Sequence, residues 1–258
     1  MSRAWRAPTL GVVAAITVTS ALDANGLGDF GSLALAPLLL VAALWRRFSR
    51  RELGFTLARG ADYVLAIGFP FLVIGVACAA AVLAGAANLD AFDPVAALRE
   101  FAILALATTL VALVTEEGFF RGWLWAALER AGASERGRIA LTTGAFVAWH
   151  IPVITFDTGF DLPARQIPVY LANATLIGVA WGLMRALSGS VIVTSVSHGI
   201  WNGLAYTLFA FGEKTGALGV ENTALFGPEV GVLGILWNSL ALVAVTLFWR
   251  RRSAAERA

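Results

Sequence analysis

Charge is what this chain lacks most. Only 14% of its 258 residues are Asp, Glu, Lys or Arg, while 59% are apolar; an ordinary soluble domain carries about 25% charged residues. The shortage excludes a soluble domain as the bulk of the protein. The net charge of +2 is not gathered on one basic face, which excludes a nucleic-acid surface. A single cysteine, Cys78, excludes an internal disulfide and a cysteine-based metal site, and leaves packing as its reading. Histidine is almost as scarce, with two residues. There is no low-complexity tract, no sequence repeat and no HExxH metalloprotease motif.

What is there comes in blocks. Eight apolar stretches run over about 8–22, 32–45, 62–86, 101–128, 139–155, 167–186, 189–210 and 230–249. A membrane-crossing helix needs about 20 mostly apolar residues, and helices satisfy their own backbone in lipid. The expectation is an all-α polytopic transmembrane bundle of about eight spans, forming one integral membrane domain over 1–258. Membrane lipids would be its surroundings. The first block follows "MSRAWR" and ends near "SALDA", so a cleaved signal peptide is its minor reading.

The basic residues orient the bundle. With eight spans and a cytoplasmic N-terminus, 15 of the 19 Lys and Arg residues fall inside, among them Arg46, Arg47, Arg50, Arg51, Arg130, Arg136, Arg138 and Arg250 to Arg252. The outer loops then hold acids: Asp23, Asp29, Asp90, Asp93, Asp157, Asp161, Glu213, Glu221 and Glu229. Both termini are therefore expected in the cytoplasm, in the cell membrane. Trp5, Trp45, Trp123, Trp125 and Trp249 lie near block edges and read as an interfacial belt. Asn173 opens a glycosylation sequon, but inside a block, where it reads as chance.

Few strongly polar groups remain within the blocks: Glu116, Glu117, Arg121, His150, His198 and Asn202. An ionisable group at a span centre costs about 2.5–3.5 kcal/mol on insertion scales, so these groups are expected to meet. Counted at 1.5 Å per residue from the cytoplasmic ends, Glu116 lies about 18 Å deep, His150 about 16 Å, His198 about 15 Å, Asn202 about 21 Å and Arg121 about 10 Å. Three spans thus bring polar groups to one level. Glu117 and Arg121 are four apart and share a helix face as an ion pair. Glu116 is turned about 100° away and is the carboxylate left free. Phe146, four before His150, can stack on its ring. Ser195 and His198 share a stripe, so Ser195 can orient the imidazole. Gly199 and Gly203 form a small-xxx-small pair that admits a close neighbour.

Each piece has a bland reading: a structural Glu–Arg clamp, a histidine bridging two helices, an asparagine as polar glue. Together, a free carboxylate, two imidazoles and an amide at one depth are the parts of a hydrolytic site. The glutamate would act as general base toward water, and the others would donate to a developing oxyanion. Glu116, His150 and His198 are alternatively a feasible zinc set.

The segments "EEGFFR" (116–121), "FVAWH" (146–150) and "HGIWN" (198–202) resemble, in order and spacing, the EExxxR, FxxxH and HxxxN/D motifs of the CPBP intramembrane proteases. These are the CAAX protease and bacteriocin-processing, or Abi, family, which includes type II CAAX prenyl endopeptidases. The resemblance covers about residues 95–205, a catalytic motif core. It implies a polytopic membrane endopeptidase in which Glu116 is the base, His150 shares the catalytic water, and His198 and Asn202 hold the oxyanion. Glu117, Arg121 and Phe146 occupy the supporting motif positions. The eukaryotic members remove the last three residues of prenylated CAAX proteins, so the implied partner is a hydrophobic or lipidated substrate, met in a cavity opening toward the cytoplasm. Family mechanisms with a metal and with glutamate alone both stand. The rival readings are a non-catalytic immunity-type membrane partner on the same scaffold and a proton-coupled transporter. Unpaired Glu116 speaks against the first, and the absence of an inverted repeat against the second.

Overall fold

The computed structural model describes residues 3–156, 162–210 and 214–255. Asp157, Asp161, Glu213 and Arg257 lie outside them. Among the described residues there are helices and no strands: α1 (Arg3–Ala24), α2 (Leu35–Trp45), α3 (Gly60–Leu83), α4 (Pro94–Val114), a π-helical segment (Glu117–Leu124) that runs into α5 (Trp125–Arg130), α6 (Glu135–Thr155), α7 (Ile167–Ser188), α8 (Val191–Leu208), the short α9 (Thr223–Phe226) and α10 (Val232–Ala255). Each apolar block lies on one helical rod.

Six of these rods are long and apolar enough to cross a membrane: Ala4–Ala24, Gly28–Trp45, Gly60–Leu83, Pro94–Arg130, Ile167–Ser188 and Val232–Arg252. The other two, α6 and α8, carry the unusual polar residues. α6 opens on Glu135, Arg136 and Arg138, and α8 holds Thr194, Ser195, Ser197, His198 and Asn202. α8 packs against α4 and α3, and α7 packs against α6 and α10, so the two polar helices are flanked by apolar ones. The outward faces stay greasy: Leu98, Ile103, Leu106 and Leu110 of α4 and Leu236, Leu240, Val243 and Leu247 of α10 are all exposed. That is the pattern of an integral membrane protein, whose solvent on these faces is lipid.

Local sequence sets the ends of the rods. The Asp93 carboxylate accepts from the backbone N–H groups of Val95 (2.9 Å) and Ala96 (3.0 Å), and Pro94 opens α4. Ser134 caps α6 and Ser190 caps α8. Gly189 closes α7 with a left-handed φ of 68°, a conformation glycine adopts without penalty. The α7–α8 connection is therefore only Gly189 and Ser190, and the two helices fold back as a hairpin. Trp181 lies eight residues before Gly189 and His198 eight after Ser190, so they meet at one level.

The tryptophan belt needs correction. Trp45 is exposed at 77%, as an interfacial residue would be, but Trp123 and Trp125 are buried. Trp123 packs on Phe119, and Trp125 takes the guanidinium groups of Arg138 and Arg185 against its ring. The glycine pair on α8 does admit a neighbour, namely α4. A Cβ on Gly199 would stand 2.5 Å from the Ala105 carbonyl oxygen, and one on Gly203 2.9 Å from the Ala105 Cβ. This stripe faces α4, while His198 and Asn202 look into a cavity on another side.

Gly199→Ala is expected to destabilise the protein by about 1–3 kcal/mol, because the blocking atom is backbone. Gly68→Ala, where a Cβ meets nothing within 4 Å, is expected to be neutral or mildly stabilising. Thermal unfolding of the two purified variants in the same detergent checks the contrast; equal melting temperatures would refute the tight α4–α8 contact.

Candidate active site

The site begins where α4 breaks. Thr115 leaves the helical region at φ −113°, ψ −100°, and its hydroxyl donates to the Val111 carbonyl (2.8 Å). The next residues wind as a π-helix, a rare form that recurs at functional sites. Gly118 allows this course: a Cβ there would meet the Leu113 carbonyl oxygen at 2.6 Å. The surplus carbonyl of Arg121 accepts from Arg185 Nε (2.8 Å), whose Nη2 reaches the Glu52 carbonyl (3.3 Å). The sequence, read with α-helical spacing, gave no sign of this widened turn.

The two adjacent carboxylates receive different surroundings. Glu117 has a fully buried side chain and sits between two nitrogens. Its Oε1 accepts from Arg121 Nη1 (3.2 Å) and lies 3.1 Å from His198 Nδ1. Arg121, also fully buried, places its guanidinium 4.2 Å from the Phe146 ring centre and donates to the Gly178 carbonyl (3.4 Å). Glu116 keeps some access to space, with a side chain exposed at 16%, and its Oε2 stands 3.9 Å from His198 Nε2. That separation is too long for a hydrogen bond and suits a bridging water.

Both imidazoles are held by one nitrogen. His150 Nδ1 lies 2.8 Å from the Phe146 carbonyl; a carbonyl can only accept, so Nδ1 bears the proton and Nε2 presents a lone pair. The Phe146 ring meets His150 edge-on at 4.4 Å. His198 Nδ1 likewise donates to Glu117, and its ring stacks on Trp181 at 4.3 Å and 21°. Ser195 does not orient His198 as expected. Its hydroxyl donates to the Val191 carbonyl within α8 (2.7 Å), and Glu117 does the orienting instead.

Glu116, His150, His198 and Asn202 all line one cavity of about 90 Å³ between α6, α7 and α8. That volume holds a few waters. Phe146, Tyr170, Trp181, Trp201 and Tyr206 share its walls, and so does Glu229. The last is a correction. Counted above as an outer-loop acid, Glu229 is turned inward, and its Oε1 accepts from Trp201 Nε1 (2.5 Å). Two asparagines hold its loop: Asn173 Nδ2 donates to the Glu229 carbonyl (2.8 Å) and the Gly231 carbonyl (3.2 Å), and Asn238 Nδ2 donates to Asn173 Oδ1 and the Pro228 carbonyl (both 3.0 Å). The signal for Asn173 was its depth in an apolar block. The signal for Glu229 was only the adjoining Gly-Pro and Val-Gly, which mark a tight loop.

The zinc set fares less well. Both rings have the outer partner that metal-bound imidazoles use, yet among the described residues no three His, Cys, Asp or Glu side chains group so as to hold a metal ion. Glu116, His150 and His198 therefore do not fit a three-ligand centre.

The structure is thus that of an integral membrane protein whose apolar helices enclose a small polar cavity walled by carboxylates and imidazoles. Residues 98–204 match the family described as Type II CAAX prenyl endopeptidase Rce1-like. On that segment, which holds all three motifs, the chain is similar to the CAAX protease family, a family of peptidases. No curated protein and no solved structure matches the chain.

The geometry predicts opposite behaviour for the two glutamates. Glu117→Gln leaves Arg121 buried without its counter-charge and is expected to lower stability by about 3–5 kcal/mol. Glu116→Gln removes no such pair and is expected to cost about 1 kcal/mol or less. Parallel thermal and chemical unfolding of the variants decides; a Glu117→Gln protein as stable as wild type would mean the network is not structural.

Proposed function

We propose that the protein is an intramembrane endopeptidase that hydrolyses a peptide bond of a hydrophobic or lipid-bearing, CAAX-like substrate with a water activated by Glu116. The observation that carries this reading is that Glu116, His150 Nε2 and Asn202 face one water-sized cavity while Glu117 and Arg121 neutralise each other beside it. Glu116 takes a proton from the water, and His150, whose Nε2 is free to accept, shares it. The hydroxide adds to the scissile carbonyl. Asn202 donates to the oxyanion, and so does His198 through Nε2 when its ring carries both protons, with Glu117 as counter-ion. The intermediate then expels the amine as its nitrogen gains a proton within the cavity. The protein's own groups suffice for each step, so a chelator should leave the rate unchanged.

The bundle crosses the membrane eight times in this reading, α6 and α8 included, with both termini cytoplasmic by the distribution of arginines. The Gly189–Ser190 turn then lies on the cytoplasmic side, and Tyr170, Asn202, Tyr206 and Glu229 lie beyond His198 from it. The turn side is filled by Arg121, Phe120 and Trp125, all buried. A substrate reaches the cavity sideways, between helices from the cytoplasmic leaflet, which suits a lipid-anchored chain. The transporter reading loses ground because the polar groups form one pocket rather than a file across the bundle.

Glu116→Ala and His150→Ala are each expected to reduce cleavage of a membrane-anchored fluorogenic peptide by about 10²–10⁴-fold, while insertion and melting stay near wild type. Reconstituted protein assayed with and without chelator, beside a proton-flux control, tests all three readings. Undiminished cleavage by either variant, or proton flux without cleavage, would sink the peptidase assignment.

A further inference from the structure

The mechanism above leaves one ionisable group of the cavity unused. Glu229 sits in the loop between α9 and α10, outside the spans, yet its carboxyl lies on the cavity wall with Glu116, His198 and Asn202. Its loop is fastened from α7 by Asn173 and from α10 by Asn238. Three amide-to-carbonyl hydrogen bonds are thus committed to holding one short segment in place. Oε1 accepts the Trp201 N–H, which fixes the carboxyl plane and designates Oε2 as the oxygen that carries a proton when the group is neutral. Trp201 is one turn from His198 on α8, so the carboxyl is set beside the imidazole already facing Glu116.

We propose that Glu229 is a further catalytic residue of this site, a neutral carboxylic acid that gives its proton to the departing amine. The proposal rests on the peptidase reading and completes its proton balance. Water adds to the carbonyl carbon and its proton goes to Glu116. The C–N bond then breaks as nitrogen takes the Oε2 proton of Glu229, and the products are a new carboxyl end and a neutral amine. The cavity waters and His198 carry the proton from Glu116 back to Glu229, and the site is reset with no outside reactant. Two carboxyls in different surroundings, one poised as base and one as acid, is a recurrent solution for acid–base chemistry at neutral pH.

The groups facing Glu229 are consistent with this division. Burial pushes its carboxyl above the usual carboxylate range, and the Trp201 N–H and the charge of His198 pull the other way. Tyr170 from α7, Tyr206 from α8 and Glu116 across the cavity complete its surroundings. No cation other than His198 faces it among the described residues.

The test uses the full-length protein in lipid with two independent readouts. Infrared spectroscopy at neutral pH is expected to show the C=O stretch of a protonated carboxyl that vanishes in Glu229→Gln and persists in Glu116→Gln. In the cleavage assay, Glu229→Gln is expected to lose about 10²-fold in kcat with KM within about twofold. Its rate should no longer fall on the alkaline side, whereas Glu229→Asp regains that fall. The glutamine still accepts from Trp201, so the loop is expected to stay closed, with melting near wild type. A band that survives in Glu229→Gln, or wild-type kcat and pH profile in that variant, overturns the proton-donor role while leaving the peptidase reading intact. A wild-type protein that shows the band but cleaves nothing overturns the peptidase reading, and the proton-donor role with it.

Discussion

A guanidinium cannot be left alone in a lipid-facing bundle, and most of this site follows from satisfying one. Arg121 is fully buried, with Glu117 on one side, the face of Phe146 on another and the Gly178 carbonyl at the end of its reach. These three partners come from the π-helical segment, α6 and α7. The charge therefore ties three elements at one depth before any chemistry is considered. An isolated buried ion is strongly unfavourable, and removing either partner of a buried pair leaves one, so the arrangement tolerates little rotation of any partner. Gly178 has no side chain because one would press on Thr143 at 2.9 Å and on Arg121 itself at 3.4 Å.

The same network divides two neighbouring carboxylates into two kinds of group. In a regular helix, Glu116 and Glu117 would differ only by a turn of about 100°. The break at Thr115 and the π-turn after it let Glu117 sink beneath Arg121 and His198 while Glu116 stays on the cavity wall. Glu117 thereby sets which nitrogen of His198 faces the cavity. One carboxylate supplies orientation and counter-charge, and the other stays open to the cavity. Trp181 completes the setting of His198 by stacking on it, a contact made inevitable by equal distances from a two-residue turn.

How much of this was legible in the sequence follows from the range of each interaction. The rods were readable because lipid imposes long apolar runs, and every block found its helix. Motif residues were readable as charges and imidazoles out of place in such runs, and the structure brings Glu116, His150, His198 and Asn202 to one cavity. The π-turn was not readable, since its sequence has ordinary helical spacing and the reason for widening, room for Gly118 against the Leu113 carbonyl, appears only in three dimensions. Trp123 and Trp125 were misplaced because a position near a block edge cannot tell an interfacial ring from one covered by a neighbouring element, as Phe119 and Gly11 cover Trp123 and two arginines cover Trp125. Glu229 was missed for a related reason. An acid in a loop looks solvated until one knows that the loop turns back on the bundle.

That return of the loop carries a cost which explains its fastening. Backbone that is neither helix nor strand exposes carbonyls that water would normally satisfy, and at membrane depth irregular backbone persists only where protein groups replace the water. Asn173 and Asn238 do this for the carbonyls of Pro228, Glu229 and Gly231. Asn173 in turn accepts from Asn238 through Oδ1, so the two amides form one chain of donors and acceptors from α10 through α7 into the loop. An asparagine in an apolar block, easily dismissed as a chance sequon or as glue between helices, is here the means by which a polar side chain from outside the spans is delivered into the cavity. The polar residues of this bundle thus fall into those that face the cavity and those that hold them there, and the second set is as demanding of position as the first.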